Sequence, residues 1–496
     1  MASASAVAAA AFLSACGGSG PVLTSPQSFS SFQQADSMSQ PAAQVYVLGD
    51  GGANAANVFD MRIGADGKLY YTTVPQISGT PYPTSGEIGQ FDLNSRTQQY
   101  GTVRYAPGFI DETDAGVWVQ EWNNATGNPT IDRYSAIGGK DTPISIPLSP
   151  FGPNSFGNGI LGGVAVTGDG HVWFGSNNSG QIGVIDPMND AVSVYTLQTP
   201  AGGQQPSPQF MVLGADKHIW VTDAGNDGVF RAAASGAHKG SSTFIQLPQG
   251  PVGPPNFPYV QGIGTAGDGR IYTGSEFAPP PYGQGALDAA FAVAAPRFEA
   301  LNLPKAGLWP LLVAGSKNKV FFIDYHFEGV GIYDIASRRI VVLPTGVIST
   351  GAGLAIDSSG TAWASCITAA GQACIQRIGL PAKWQIYPSR ALTLFFVDSF
   401  GDRKPPGLLG IGESGDSGPF TVVSSDQTIC TAGMIPGFDH NIQVKPVQPG
   451  PCTVTVKDAH GRTARVSVTV VLKAGNTRMQ VRGGAQIRPA HLPRTF

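Results

Sequence analysis

Short apolar strands separated by polar, glycine-rich turns recur along most of the chain. One phrase returns seven times: an apolar strand, a turn built on Asp-Gly or a substitute, and a second strand that carries an aromatic residue. The aromatic residues are Tyr70, Trp118, Trp173, Trp220, Tyr272, Phe321 and Trp363. A repeat of about 40–50 residues with strands in every unit is typical of β-propeller blades. The pattern therefore predicts an all-β fold with a seven-bladed β-propeller.

Each unit contains the elements of a four-stranded antiparallel sheet. Asp-Gly between two alternating strands indicates a hairpin, because both central residues need positive φ and glycine adopts it without strain. A third strand follows, and a fourth, edge-like strand is expected at VSVYTLQ, STFIQLP, RIVVLP and, in the last unit, WQIYPS. One such sheet cannot bury both faces, so stacking in a ring supplies the core. An array of sandwiches is the alternative, but its strands would lack a shared phrase.

Composition narrows the class of protein. Among 496 residues, 66 glycines and 39 prolines disfavour helices. Only 13% of the residues are charged and the net charge is −3, which excludes a broad basic surface for nucleic acid. A monomeric, exported β protein is expected.

The N-terminal segment indicates export to the cell envelope. Residues 1–15 are small and apolar and end in LSAC, followed by Gly-Gly-Ser-Gly. This resembles a bacterial lipoprotein signal, which implies cleavage before Cys16, lipid on Cys16 and membrane anchoring. No Lys or Arg precedes the apolar run, and an unstructured Ala-rich terminus is the alternative. Residues 16–43 then form a flexible tether, and the propeller spans residues 44–388.

The pattern changes after Pro388. Residues 389–473 contain alternating strands without the blade phrase, and Glu413–Thr421 and Cys452–Val470 resemble bacterial immunoglobulin-like modules. A small β-sandwich is expected there. Residues 474–496 are basic and unpatterned and are predicted to be disordered.

Five cysteines fit an oxidising compartment. Cys366 and Cys374 flank a turn of the last blade, and Cys430 and Cys452 lie in the C-terminal region. Two disulfides, Cys366–Cys374 and Cys430–Cys452, together with a lipidated Cys16, account for all five. A metal site is the weaker alternative, since no CxxC motif occurs.

The segment GDSGP from Gly415 matches the nucleophile motif of chymotrypsin-type proteases. A serine protease also needs a histidine base and a buried aspartate held by a double barrel. The sequence offers neither in that context, so a turn of the C-terminal module explains the segment.

The blade phrase resembles that of the streptogramin (virginiamycin B) lyases and their non-lyase relatives. Their repeat GITxGPDGNLWFTE…GNKIGRI is similar to Gly163–Ile185, and the resemblance covers about residues 55–390. It implies the propeller fold. In the lyases, a histidine, a glutamate and Mg²⁺ open a lactone-bearing cyclic peptide by elimination.

The resemblance can be carried over position by position. The lyase glutamate lies three residues after the aromatic, where this chain has Thr73, Glu121, Ser176, Asp223, Ser275, Asp324 and Cys366. The lyase histidine lies eleven residues before the aromatic residue. At that position this chain has Phe59, Pro107, Gly162, Gln209, Gln261, Pro310 and Ala352. No histidine occupies that position, and His326 alone is expected near the axial face.

These positions predict a polar site on the axial face of the propeller. The candidate ligand-binding residues are Glu121, Asp223, Asp324, His326, Gln209 and Gln261, with Asp223 and Asp324 as candidate ligands for Mg²⁺ or another divalent cation. Two functions remain open: a binding or scaffold protein for a peptide, glycan or envelope protein, and a metal-assisted carbon–oxygen lyase or lactonase. Polar strand ends that only bind channel water are the structural alternative.

Overall fold

The protein is described from a computed structural model. The described residues are 43–49, 57–75, 85–103, 105–113, 116–123, 128–135, 137, 144–147, 161–176, 179–248, 258–277, 286–291, 296–301, 310–324, 329–344, 353–368, 371–378, 384–387, 391–397, 407–413 and 417–473. These residues form strands and turns and no helix, and none of their segments is a helix capable of crossing a membrane. The predicted signal peptide, Cys16, the tether up to residue 42, His326 and the basic tail lie outside them.

Between Ala43 and Ile378, the described residues form seven four-stranded antiparallel sheets, or blades. The first strand in chain order, β1 (Ala43–Val47), belongs to the last blade. Blades one to three are β2 (Asn57–Ile63), β3 (Leu69–Val74), β4 (Gly86–Phe91), β5 (Gln98–Val103); β6 (Ala106–Thr113), β7 (Gly116–Asn123), β8 (Asn128–Tyr134), β9 (Ile144–Pro147); and β10 (Leu161–Val166), β11 (Val172–Ser176), β12 (Gln181–Asp186), β13 (Ala191–Thr196).

The remaining blades repeat this order. Blades four to six are β14 (Pro208–Leu213), β15 (His218–Asp223), β16 (Gly228–Ala233), β17 (Ser242–Gln246); β18 (Pro258–Thr265), β19 (Arg270–Phe277), β20 (Ala286–Phe291), β21 (Glu299–Leu301); and β22 (Pro310–Gly315), β23 (Lys319–Asp324), β24 (Gly329–Asp334), β25 (Arg339–Pro344). Blade seven contains β26 (Leu354–Ile356), β27 (Ala362–Ile367) and β28 (Ala373–Ile378), with β1 as its fourth strand.

The blades close into a ring. Their first strands contact one another in the order β2, β6, β10, β14, β18, β22, β26 and back to β2. The last blade is completed by the N-terminal strand, because β1 pairs with β28 from Ala43 opposite Ile378 to Val47 opposite Cys374. The predicted fourth strand WQIYPS is therefore wrong: Gln385–Tyr387 pairs with the C-terminal unit instead.

The recurring phrase has a structural basis at the turn between the first and second strands. In blades one, four, five and seven, the turn aspartate accepts a hydrogen bond from the aromatic residue, as in Tyr272 Oη to Asp268 (2.7 Å) and Trp363 Nε1 to Asp357 (3.0 Å). In the turn of blade five, the glycine alone has a positive φ, 77° at Gly269. The expectation of positive φ at both turn residues is thus wrong, because the connection is longer than a two-residue hairpin.

A second recurring contact lies between the second and third strands. In blade six, a Cβ on Gly331 would lie 1.9 Å from Phe322 Cζ, and in blade one a Cβ on Gly89 would lie 2.2 Å from Tyr71 Cζ. The aromatic ring therefore covers the neighbouring glycine. Blade five replaces this pair by Thr273 opposite Asp288.

Two further four-stranded sheets form a C-terminal unit with its own core. The strands are β29 (Gln385–Tyr387), β30 (Leu392–Val397), β31 (Gly407–Gly412), β32 (Thr421–Ser424), β33 (Cys430–Ile435), β34 (Phe438–Pro446), β35 (Gly450–Lys457) and β36 (Thr463–Lys473). The sheets have the orders β29-β31-β34-β33 and β30-β36-β35-β32.

Both predicted disulfides are confirmed. Cys430–Cys452 joins β33 of one C-terminal sheet to β35 of the other, within the buried core of the unit. Cys366–Cys374 joins neighbouring strands of blade seven, and Val45 of the closing strand packs against it. Cys430–Cys452 therefore connects the two sheets of the C-terminal unit, and Cys366–Cys374 links adjacent strands of one hairpin.

Ser417, the serine of the GDSGP segment, has a structural contact. Its Oγ accepts a hydrogen bond from Arg462 (2.9 Å), and its backbone N–H donates to Glu413 (2.9 Å). His440, one of two histidines in the described part of the C-terminal unit, contacts Glu413 through Nε2 at 2.7 Å. Glu413 thus binds both the Ser417 backbone and His440.

Candidate functional site

The predicted acids lie at one end of the ring, which we call the loop face: the end at which the second strand of every blade terminates. Glu121, Asp223 and Asp324 occupy equivalent strand positions, opposite Pro107, Pro208 and Pro310 of their first strands. All three are fully buried. Residues at this spacing in the sequence therefore lie at the same height in their blades.

The side chains at this level point into the seams between blades. Residues two apart in a strand share a face, so Glu121 lies on the face of Val119, and Asp324 on the face of Phe322. Val119 packs against residues of blade one and Phe322 against residues of blade five. By this alternation the acids face the preceding blade. A ligand site formed by these acids at the axis stays a prediction.

Glu121 fixes the position of the chain where it enters blade two. One carboxylate oxygen accepts the backbone N–H of Tyr105 (3.1 Å), directly before the first strand, and the other accepts the hydroxyl of Tyr134. Burial, and next the charge of Glu121, raise the pKa of Tyr134. The tyrosine hydroxyl therefore stays protonated and keeps donating.

Asp223 has the same role in blade four. Its Oδ1 accepts the backbone N–H groups of Ser207 (2.7 Å) and Gly225 (2.9 Å), and its Oδ2 accepts Asn226 Nδ2 (2.7 Å). Burial raises its pKa. Asp227 follows in the same turn, and burial together with the charge of Asp223 raises its pKa to about 8. Asp223 and Asp227 thus form a buried acidic pair at this end of blade four. The sequence analysis identified only Asp223.

Among the other predicted residues, only Gln209 has a described side chain. Gln209 is half-buried near the start of β14. For Gln261, the backbone lies in β18 but the side chain is not among the described groups, and His326 lies outside the described residues altogether. Within the described part of the chain, no group of three or more His, Cys, Asp or Glu residues could hold a metal ion.

A cluster of phenylalanines marks the axis of the ring. Phe109 of blade two contacts Phe59 of blade one and Phe210 of blade four edge-to-face, each at 5.4 Å between ring centroids. Blades two and four are not neighbours, so their side chains meet only near the axis. All three residues lie in the first half of their strands, which begin at the loop face. We call this group the aromatic floor.

Blade three leaves room for this contact. At the position equivalent to Phe109 and Phe210 it has Gly163, whose Cβ would lie 2.9 Å from the backbone nitrogen of Met211. The first strands of blades three and four therefore approach closely there. Sequence spacing missed Phe109 and Phe210 because they lie in irregular pairings, between Pro107 and Ile110 and between Pro208 and Met211.

A buried charge lies at the position equivalent to Phe109 in blade one. Asp60 pairs with Arg62 (3.0 Å) and accepts the backbone N–H of Ile110 in blade two (3.2 Å). Burial raises its pKa to about 6, although Arg62 acts in the opposite direction. Asp60 thus connects the first strands of blades one and two.

No protein-family model and no curated protein matches the chain. Among solved structures, the chain is similar to a streptogramin B lyase, with 16% identity over 68% of this chain and 97% of that chain and a TM-score of 0.49. It is also similar to a catalytically inactive virginiamycin B lyase from Staphylococcus aureus solved with quinupristin, with 17% identity over 67% of this chain and 99% of that chain and a TM-score of 0.50.

A third structure is PorZ, a surface component of the type-IX secretion system of Porphyromonas gingivalis. It is 13% identical over 85% of this chain and 60% of that chain, with a TM-score of 0.45. At these identities the similarity concerns the fold. The ring of four-stranded sheets and the similarity to the virginiamycin B lyase structure together establish a β-propeller fold for this chain.

Proposed function

We propose that this protein is a lipid-anchored, extracytoplasmic β-propeller that binds an apolar or aromatic group of a peptide or glycan at the centre of its loop face. The aromatic floor carries the proposal. Phe59 and Phe210 are only half-buried although they touch the fully packed core. Edges and faces of such rings stack on other rings and on sugar faces.

The surroundings of the floor support a binding site. Half-buried Gln209 directly precedes Phe210 in the chain, and its amide can both donate and accept hydrogen bonds. A largely apolar surface with a few placed polar groups is the usual composition of a ligand site. Gln261 and His326, predicted from sequence, belong to this proposal as rim residues.

The connections of the chain favour the same face. The longest ones run between strand ends of the loop face, as from Pro147 to Leu161, from Gln246 to Pro258 and from Val74 to Gly86. Binding residues concentrate on loops that a rigid scaffold positions. The buried acids Glu121 and Asp223 support that scaffold by fixing where two first strands begin.

The compartment follows from the cysteines. Two disulfides indicate an oxidising, extracytoplasmic environment. Lipid on Cys16 would hold the protein at a membrane, the tether would separate it from the surface, and the immunoglobulin-like module would act as a spacer. The alternative function is a metal-assisted lyase or lactonase with Asp223 and Asp324 as metal ligands. Asp223 accepts hydrogen bonds from the Ser207 backbone and the Asn226 amide, which favours a structural role for this carboxylate.

Binding to immobilised envelope peptides and glycans tests the main proposal. Replacing Phe59 and Phe210 by alanine should weaken the binding at least tenfold, because both rings would be removed from the floor. Phe244→Ala is the matched control, since Phe244 is also half-buried but packs on Phe230 at the outside of blade four. Equal binding by both variants would contradict the site. The anchor is tested separately: Cys16→Ser should move the protein from the membrane to the soluble fraction.

A further inference from the structure

Two buried oxygens in blade five have no hydrogen-bond partner among the described protein atoms: Asp288 Oδ1 and Thr273 Oγ1. Asp288 is 1% exposed and Thr273 is fully buried. The residues lie directly opposite each other in β20 and β19. An enclosed carboxylate and hydroxyl without partners are costly, so these atoms define a position that favours a polar ligand.

The position lies in the seam between blades four and five. Ile271 and Ala290 share the faces of Thr273 and Asp288, because each is two residues away in its strand. Both pack against Trp220 and Val229 of blade four. The site is therefore internal and separate from the aromatic floor.

Among the described residues, no basic group offsets the charge of Asp288. Burial raises the pKa of its carboxyl to about 8. In blade two, Asp132 occupies the equivalent position opposite Val119, but it has interaction partners. The two blades thus share a buried acid, and only the acid of blade five has an unpartnered oxygen among the described atoms.

We propose that Asp288 and Thr273 form an internal binding site for a monovalent cation, Na⁺ or K⁺, between blades four and five. Carboxylate and hydroxyl oxygens are ligands for hard cations. One carboxylate neutralises one positive charge, whereas a divalent ion would leave a net charge buried in an apolar seam. The cation would connect two blades and stabilise the ring.

Thermal unfolding of the full-length protein tests this site. At pH 9 and constant ionic strength, replacing choline chloride by NaCl or KCl should raise the Tm by about 2 °C, because a ligand that binds only the folded state stabilises it. Asp288→Asn should lose this difference. Asp132→Asn, the equivalent change in blade two, should keep it.

Three results would overturn the proposal. One is an equal Tm of the wild type in choline, sodium and potassium salts, which would leave a proton or water as the occupant. Another is a sodium or potassium effect that survives in Asp288→Asn. The third is stabilisation by CaCl₂ alone. If Asp288→Asn does not fold, Thr273→Val keeps the shape and should at least halve the shift, and an unchanged shift would equally overturn the site.

Discussion

The side-chain amide of Asn441 binds both backbone polar groups of Val342. Val342 N–H donates to Asn441 Oδ1 (3.4 Å), and Asn441 Nδ2 donates to the Val342 carbonyl (3.2 Å). Both residues are fully buried. Val342 lies in β25, the outer strand of blade six, so one side chain of the C-terminal unit covers a strand edge of the propeller. Gly410 permits this approach, since its Cβ would lie 2.0 Å from the Val342 carbonyl oxygen.

Asn441→Leu should weaken the contact between the propeller and the C-terminal unit. The substitution leaves the N–H and C=O of Val342 buried without partners, which should lower the free energy of unfolding by about 2–4 kcal/mol. Chemical denaturation measures the loss. Asn94→Leu, at an exposed turn position, is the control and should change stability by less than about 0.5 kcal/mol. Equal stability of the two variants would show that the amide contact is dispensable.

Gly331→Ala should strain blade six. Its Cβ would lie 1.9 Å from the Phe322 ring, so the ring must move, at a cost of about 1–3 kcal/mol. Adding Phe322→Val makes room, and the double variant should lose less stability than the two single variants together. Gly433→Ala is the control, because nothing lies within 4 Å of its Cβ. Strictly additive losses, measured by denaturation, would contradict the ring-over-glycine contact.

The repeated phrase predicted the ring because its residues act locally. Each turn acid and strand aromatic lie within one hairpin, as Asp268 and Tyr272 do, so spacing alone locates the second strand of every blade. Closure of the ring was not predictable in this way. The pairing of Ala43 with Ile378 joins the two ends of the propeller, and neither strand carries the phrase.

The sequence predicted where along the strands the candidate acids lie, but not which neighbouring blade their side chains face. Spacing placed Glu121, Asp223 and Asp324 at equivalent strand ends, and the structure agrees. The direction of a side chain follows from which face of the sheet meets which neighbour, and this depends on packing between blades. Phe109 and Phe210 of the aromatic floor were not predicted. A β-bulge adds a residue to their strands, so counting residues from the aromatic position does not identify them.

The disulfide Cys430–Cys452 should stabilise the C-terminal unit. It closes a separation of 22 residues, which corresponds to about 3 kcal/mol in the chain-entropy model. Replacing both cysteines by alanine should lower the free energy of unfolding by about that amount. Peptide mapping without reduction should recover the pairs Cys430–Cys452 and Cys366–Cys374. Exchanged partners, or free thiols in protein purified from an oxidising compartment, would contradict the assignment.

Asp227 should make the protein less stable as pH rises. Its pKa is raised from 3.8 to about 8 in the folded state by burial and by Asp223, so the folded protein retains a proton that the unfolded chain loses. The free energy of unfolding therefore falls between about pH 4 and pH 8. The carboxyls of Asp60 and Asp288, whose pKa values are also raised, contribute in the same direction.

Asp227→Asn isolates this contribution, because asparagine is neutral, has the same shape and tolerates the left-handed backbone of Asp227 (φ 53°). Urea unfolding at a series of pH values should find the variant equal to the wild type near pH 3 and more stable at pH 9, by as much as about 5 kcal/mol. Asp92→Asn is the control of opposite sign. The N–H groups of Ser95 and Asn94 lower the pKa of Asp92, so its carboxylate stabilises the fold above about pH 4, and its removal should cost stability at pH 9. A parallel pH dependence of the Asp227→Asn variant and the wild type would show that the folded protein does not hold this proton.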